Sequence, residues 1–217
     1  MRGLIEKDLR LLLKRKQTFI VIVIVEILLG ISGSGVFAIV YFTMLAGIMA
    51  AGTLSYDEFD NGLGFLFTLP IDRKMYIREN YLLSTMFCAV AWAISVVLYA
   101  VIGTISGQNI DFIGMLPGFF LILPGMATFS TIILPLQLKF GSEKGKIALF
   151  VISGCLALAI IFVKNTFLST EESVSALVNG LEGITIGTVI LGIVAICVLI
   201  VFITYSFSVR IMANKEL

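Results

Sequence analysis

The chain contains several long apolar runs, and these runs restrict its fold more than any other feature of the sequence. They give six candidate membrane-spanning helices, near residues 18–32, 36–54, 81–105, 115–137, 147–163 and 184–209. A helix needs about 20 predominantly apolar residues to cross the hydrocarbon core of a bilayer. The mean hydropathy of +1.09 lies far above that of soluble proteins. The sequence therefore predicts an all-α integral membrane protein with a single transmembrane domain over residues 1–217.

The distribution of Lys and Arg predicts how the chain is oriented in the membrane. Of the 15 such residues, all but Lys164 fall on one side of the predicted spans. They lie in the N-terminal segment, in the loops over residues 55–80 and 138–146, and in the C-terminal tail. Basic residues collect on the cytoplasmic side of membrane proteins. We therefore expect both termini and the 55–80 loop in the cytoplasm, and the 164–183 loop outside.

The first sixteen residues show the spacing of an amphipathic helix. Ile5, Leu9, Leu12 and Leu13 recur at helical intervals, with charged residues between them. This pattern predicts an interfacial helix over residues 1–16 that lies on the inner membrane surface. It fits a simple topogenic anchor and a docking element equally well.

The composition excludes several kinds of site chemistry. Histidine is absent, and the three cysteines lie inside apolar runs without the spacing of metal ligands. We therefore predict no metal site and no catalytic residues. The segment GSEKGKI at 141–147 also fails as a phosphate-binding loop, because three residues rather than four separate its glycines and Ile147 follows the lysine. The chain is not expected to hydrolyse ATP by itself.

Glu26 is the one carboxylate well inside a predicted span. An ionised side chain at bilayer depth is costly, so Glu26 should face other helices or water, or carry a proton. It fits a structural hydrogen bond, and it also fits a proton or cation site. No second intramembrane acid or base accompanies it.

The 55–80 loop carries the densest mixture of charged and apolar residues. Ser55 and Glu58 have capping-box spacing, which predicts a helix that begins at Ser55. Phe59, Leu63 and Phe67 recur every four residues and predict an apolar stripe that needs a cover, either the membrane surface or a soluble partner.

A second helix is predicted at the end of the same loop. Pro70 ends the first helix, and Asp72 is placed to cap a helix that runs through Arg73 and Lys74 into the third span. Gly62 and Gly64 would weaken the first helix, so we expect it to be short or broken.

The same loop resembles a known family, the permease subunits of type-2 ABC exporters. Small members of that family carry a similar acidic motif and, after a linker, a similar Leu-Pro motif with basic residues. The matching residues here are Ser55, Tyr56, Asp57, Glu58, Thr68, Leu69, Pro70, Arg73, Lys74, Tyr81 and Leu82. The chain departs from the pattern at Gly62, where the family often has Trp, and at Phe65, where it often has Tyr.

The resemblance implies a function and a set of partners. The 55–80 loop would be a coupling helix that docks on a separate cytoplasmic ATPase subunit, which would bind ATP and Mg²⁺; this chain would hold no cofactor. A second permease chain, identical or paralogous, would complete the transporter. The resemblance implies a bacterial cytoplasmic membrane location and a cargo of amphipathic or antimicrobial peptides, such as phenol-soluble modulins and lantibiotics. The coupling residues would be Tyr56, Asp57, Glu58, Phe59 and Leu63, with Arg73 and Lys74 at the membrane edge.

Two other functions stay open on the sequence. An ion-coupled secondary transporter would use Glu26 as its ion site and would need no ATPase. A non-transporting immunity or binding protein would sequester a toxic peptide, and its protection would survive loss of the ATPase.

Overall fold

The computed structural model describes residues 2–58, 62–68, 70, 72–106, 112–141, 144–145, 147, 151 and 186–215. Its elements over these ranges are helices, which confirms the predicted all-α class. In chain order they are α1 (Arg2–Lys14), α2 (Lys16–Ile31), α3 (Gly35–Ala51), α4 (Thr53–Glu58), α5 (Gly62–Leu66), α6 (Arg73–Ile105), α7 (Phe112–Phe140) and α8 (Ile186–Ala213).

Four helical segments in the described ranges are long and apolar enough to cross a membrane. They cover Gly35–Glu58, Arg73–Ile105, Gly114–Phe140 and Gly187–Ala213. Helix α2 has 16 residues, so it rises about 24 Å against a hydrocarbon core of about 30 Å. The predicted fifth span, 147–163, lies outside the described residues apart from 147 and 151. The count of six spans therefore stays a prediction.

Helices α2 and α3 form a tight hairpin, as the short link between the first two runs predicts. The turn contains Gly33 at φ 83°, in the left-handed region that favours glycine. Helix α3 starts at Gly35, where a Cβ atom would lie 1.9 Å from the Tyr99 ring. The absence of a side chain at Gly35 lets the start of α3 lie directly against α6.

Helix α3 is the central helix of the bundle and packs against α2, α6 and α7. Its buried face is built from small residues, among them Ala38, Thr43, Ala46 and Gly47. Helices in a membrane associate mainly by close packing, which small side chains permit. A Cβ on Gly47 would lie 2.8 Å from Cys88 Sγ, so the spacing between α3 and α6 depends on this glycine.

The largest apolar core lies at one end of the bundle, where α1, α4, α5, the start of α6 and the ends of α7 and α8 meet. It includes Leu54, Leu63, Tyr76, Leu138 and Met212, all buried. Each such side chain contributes about 1.5–3 kcal/mol relative to exposure in water. We call this end, which also gathers the basic segments, the charged end. Both ends of the described chain lie there, as expected if the two termini are on the same side of the membrane. That this side is the cytoplasm stays a prediction.

Two predicted helix caps are wrong in detail. Ser55 lies inside α4 rather than before it, and its buried hydroxyl has no hydrogen-bond partner in the described part of the chain. Helix α4 begins earlier because it follows α3 after a single turn residue, Gly52. Helix α6 does begin at Arg73, and Asp72 occupies the N-cap position, but its side chain makes no capping hydrogen bond.

Helix α1 buries one face against the bundle, which the prediction of an interfacial helix did not include. Leu4, Asp8 and Leu12 are buried against the bundle, whereas Leu9 and Leu13 are exposed. The predicted apolar stripe is therefore divided between two surfaces. Leu12 faces protein, and Leu9 and Leu13 are left on the side that an interfacial helix would turn to lipid.

Candidate functional site

Side chains from distant parts of the sequence tie the charged end together. Arg73 donates hydrogen bonds from Nη1 to the carbonyl oxygens of Met212, at 3.0 Å, and Ala213, at 2.9 Å. These bonds join the start of α6 to the end of α8, where unpaired carbonyl groups favour a cation. Lys215 Nζ lies 3.0 Å from Glu58 Oε1, so the chain after α8 also reaches α4.

Asp57 lies at the centre of this end, in a buried position between α1, α4 and α6. Lys7 Nζ donates to both of its carboxylate oxygens, at 2.6 and 2.7 Å. The hydroxyl of Tyr76, itself fully buried, donates to Oδ2 at 2.9 Å. Charge-assisted bonds of this kind are stronger than neutral ones. Asp57 therefore holds α1 and α6 to α4, and its carboxylate is occupied within the chain.

Two further carboxyl groups lie beside this ion pair. Lys7 Nζ is 3.1 Å from Asp8 Oδ1, and the buried Asp8 and Glu79 are close enough for each to affect the other's ionisation. Burial raises the pKa of Asp8, and the charge of Lys7 offsets only part of this effect. Burial lowers the pKa of Lys7, but the hydrogen bond to Asp57 and the charge of Asp8 outweigh it, so the pKa of Lys7 lies above its ordinary value.

We call Lys7, Asp8, Asp57, Tyr76 and Glu79 the α1–α4–α6 cluster. As a carboxylate, Asp8 has only the ion-pair contact with Lys7, and Glu79 finds no hydrogen-bond donor among the described residues. A proton on Asp8 would supply that donor and would leave Asp57 as the carboxylate paired with Lys7. The described ranges hold no group of acidic or cysteine side chains arranged to bind a metal ion. The cluster therefore joins α1, α4 and α6 through buried polar contacts.

The apolar stripe of the loop is covered by the chain itself. Leu63 is buried in the core at the charged end. The ring of Phe67 packs edge-on against Tyr76 with centroids 5.9 Å apart, and the Arg73 guanidinium lies 5.9 Å from its centroid. The expectation that these two residues need an external cover is thus wrong. Phe59 lies outside the described residues.

Two aromatic residues of the loop remain at the surface. Phe65 on α5 is 71% exposed and Tyr56 on α4 is 39% exposed. The Arg15 guanidinium lies 4.9 Å from the centroid of the Tyr56 ring and donates a hydrogen bond to its hydroxyl. Lys74, at the start of α6, is also exposed. The loop therefore exposes the rings of Tyr56 and Phe65 and the side chain of Lys74. The helices that carry them are held in place by contacts within the chain.

Sequence reasoning singled out Asp57 and Glu58 as coupling residues, but it missed most of the partners that they have within the chain. Lys7, Asp8, Tyr76 and Glu79 were not predicted as site residues. One signal was available: Asp8 lies four residues from both Leu4 and Leu12, so an acid occupies the apolar face of α1. A charged residue in such a position needs a buried partner.

Glu26 lies far from this cluster and has a simple environment. It is buried, and the hydroxyl of Ser95 on α6 donates to its Oε1. The space beside it, next to Gly30 and Tyr99, is too small to hold a water molecule. Its second oxygen has no hydrogen-bond partner in the described part of the chain. This environment favours a structural bond between α2 and α6 over an ion site.

Comparison with known protein families gives a match that spans nearly the whole chain. A family model described as ABC-2 family transporter protein matches residues 3–213. The match covers every described helix except for the first residue of α1. No curated protein and no solved structure matches the chain.

Proposed function

The chain belongs to the ABC-2 family of transporter proteins, and from this premise we propose that it exports amphipathic or antimicrobial-type peptides with energy from a separate ATPase. Membership makes it a multi-pass membrane permease subunit of an ABC transporter. The proposal adds the partner, the direction and the cargo. In it, the charged end faces the cytoplasm of a bacterial cell, and a second permease chain completes the transporter. ATP and Mg²⁺ bind to the ATPase.

The observation that carries the docking part of the proposal is the exposed surface of α4 and α5. Tyr56 and Phe65 are large, exposed aromatic side chains at the charged end, and such residues are enriched in protein interfaces. The short helices that carry them are held by the α1–α4–α6 cluster and by the apolar core. A docking surface with exposed aromatic rings, on short helices that are firmly held, suits a partner that moves between two states.

We also propose two roles for the predicted coupling residues, according to their exposure. Tyr56 and Lys74 are exposed, so together with Phe65 we assign them the direct contacts. Asp57, Leu63 and Arg73 have their side chains engaged within the chain and would hold the docking surface in place. Glu58, with a side chain 14% exposed and paired to Lys215, belongs with this supporting group. For Phe59 the coupling role stays a prediction.

The proposal of a peptide cargo is based on the resemblance of the 55–80 loop to small exporters. The ion-coupled alternative has no support from the surroundings of Glu26. The buried Glu26 carboxylate has Ser95 as its partner and no room for water beside it. An ion pathway would need polar groups and water on both sides of the acid. ATP dependence of transport in proteoliposomes separates the two mechanisms.

The experiment that tests the docking proposal is purification of the tagged chain from native membranes in mild detergent. We expect a soluble subunit with a phosphate-binding loop to co-purify in stoichiometric amount. Phe65→Ser should reduce this subunit strongly, because the ring contributes exposed apolar area to the interface. Phe140→Ser is the matched control, since Phe140 is also exposed and ends α7 at the same end of the bundle. Full retention by Phe65→Ser at normal abundance would refute the assignment.

A further inference from the structure

An open apolar groove lies between α6, α7 and α8, at the surface of the part of the bundle that the structure describes. Its volume is about 640 Å³, within the range of roughly 300–1,000 Å³ typical of ligand sites. The walls include Arg78 and Leu82 on α6, Pro124 and Ala127 on α7, and Val198 and Phe202 on α8. We call it the α6–α8 groove. It lies apart from the docking surface of α4 and α5 and from Glu26.

The groove has one polar end and one apolar end. Arg73 binds carbonyl groups at the end of α8, so the start of α6 and the end of α8 lie at the same, charged end. Arg78 is the wall residue of α6 closest to that end, and Tyr205 is the corresponding residue of α8. Pro124 and Cys197 lie deeper in the bundle. A ligand that fits this arrangement has its polar group at the charged end and its apolar part towards the membrane centre.

Three hydroxyl groups along the walls, those of Tyr81, Thr85 and Thr128, are already engaged within the protein. Thr85 donates to the Tyr81 carbonyl at 2.8 Å, and Thr128 donates to the Gly125 carbonyl at 2.7 Å. The Tyr81 hydroxyl lies 2.9 Å from Ser208 Oγ. These hydroxyls therefore present mainly their carbon atoms to the groove, which suits a hydrocarbon chain.

Arg78 is the charged group of the groove. It is exposed, and no carboxylate pairs with it among the described residues. A guanidinium group binds phosphate through paired hydrogen bonds. A basic residue at the edge of a groove between membrane helices is the arrangement that binds anionic lipid head groups.

We propose that the α6–α8 groove is a binding site for an anionic phospholipid from the leaflet beside the charged end. The acyl chain lies between Leu82, Ala127 and Phe202, and the phosphate group meets Arg78. This site is independent of the proposed ATPase docking and of the peptide cargo. It holds α6, α7 and α8 together from the lipid side.

The experiment uses the purified full chain in lipid nanodiscs that contain a trace of photoactivatable phosphatidylglycerol with a diazirine in one acyl chain. A matched phosphatidylcholine probe carries the same acyl chain on a head group without net charge. After irradiation, the labelled residues are mapped by peptide mass spectrometry. We expect phosphatidylglycerol to label wall residues such as Val198 and Phe202 more strongly than phosphatidylcholine does. Equal labelling of the groove by the two probes, or no labelling there, would overturn the proposal.

Two variants test the polar and the apolar part of the site separately. Arg78→Gln should lower groove labelling by phosphatidylglycerol by roughly tenfold or more, the effect of a lost charge-assisted hydrogen bond. Lys139→Gln removes an exposed cation at the same end outside the groove and should change nothing. Ala127→Phe fills the groove and should remove the label while α7 stays folded. Groove labelling that survives both Arg78→Gln and Ala127→Phe would refute the site.

Discussion

Replacement of Lys7 by methionine tests whether the α1–α4–α6 cluster fastens α1 to the bundle. The substitution keeps most of the aliphatic stem and removes the ammonium group that contacts both Asp57 and Asp8. Asp57 would then be a carboxylate with a side chain 7% exposed, bound by the Tyr76 hydroxyl without a cation. Such a charge is costly in a buried position.

The magnitude follows from the exposure of the two partners. Removing one member of a fully buried ion pair costs about 3–5 kcal/mol, whereas an exposed pair contributes about 0–1 kcal/mol. The Lys7 side chain is 32% exposed and that of Asp57 is nearly buried, so we expect a loss of about 2–3 kcal/mol. Undocking of α1 should therefore become roughly 30 to 150 times more frequent.

The assay measures how often α1 leaves the bundle. Leu12 is buried against it and its neighbour Leu13 is exposed, so maleimide labelling of Leu12→Cys is divided by labelling of Leu13→Cys. Each cysteine is introduced separately into a chain whose three native cysteines are replaced by alanine. When closing is faster than labelling, the ratio reports the open fraction. Lys7→Met should raise the ratio of Leu12→Cys labelling to Leu13→Cys labelling.

Two further variants decide whether the ion pair is the cause. Arg10→Met removes an exposed pair with Glu6 on the same helix, worth only about 0.3–0.5 kcal/mol, and should leave the labelling ratio nearly unchanged. Adding Asp57→Asn to Lys7→Met removes the unpaired charge and should recover much of the protection. The reasoning fails if Lys7→Met labels like the unmodified chain, or if the double variant labels as fast as Lys7→Met.

The remaining predictions concern the same end of the molecule. Glu58→Lys alone should weaken co-purification of the ATPase. Because Glu58 and Lys215 pair within the chain, exchange of the two charges in the double variant Glu58→Lys, Lys215→Glu should restore it. Failure to restore it would make Glu58 a contact with the partner. Docking of α1 should weaken as pH rises through the raised pKa of Asp8, since a raised carboxyl pKa means that the protonated form is favoured in the docked state. The normalised Leu12 labelling should therefore increase with pH, and Asp8→Asn should make it independent of pH; a rise of equal size in that variant would assign the effect to another group, such as Glu79.

The membrane-spanning helices could be predicted from the sequence because hydropathy is a local property. The predicted spans 36–54, 81–105, 115–137 and 184–209 each fall on a helix that is long and apolar enough to cross. The start of α6 at Arg73 was also predicted, since Pro70 and Asp72 mark it in the sequence. A backbone in lipid must satisfy its own hydrogen bonds, which leaves helix as the natural structure of such runs.

The site could be predicted only in part, because its bonds join residues far apart in the chain. Lys7 and Asp57 are 50 residues apart, and Lys215 and Glu58 are 157 apart. Nothing local in the sequence pairs them. The stripe that contains Leu63 and Phe67 correctly indicated a covered face, but periodicity does not say what covers it. Here the cover is Tyr76 and the apolar core.

The cluster also explains why so apolar a chain keeps a dense mixed-charge segment. Helix α6 runs without interruption from Arg73 to Ile105, 33 residues or about 50 Å, so its first turns lie at the charged end and its last turns at the other side of the bundle. Asp57 fastens α4 to Tyr76 on this helix through a buried bond, and Lys7 fastens α1 to the same carboxylate. In the proposed docking, a partner that pushes on Tyr56 or Phe65 would push on helices that this cluster joins to a spanning helix. Apolar contacts alone would allow α4 to slide along α6, whereas the directional, buried hydrogen bond from Tyr76 to Asp57 opposes such sliding.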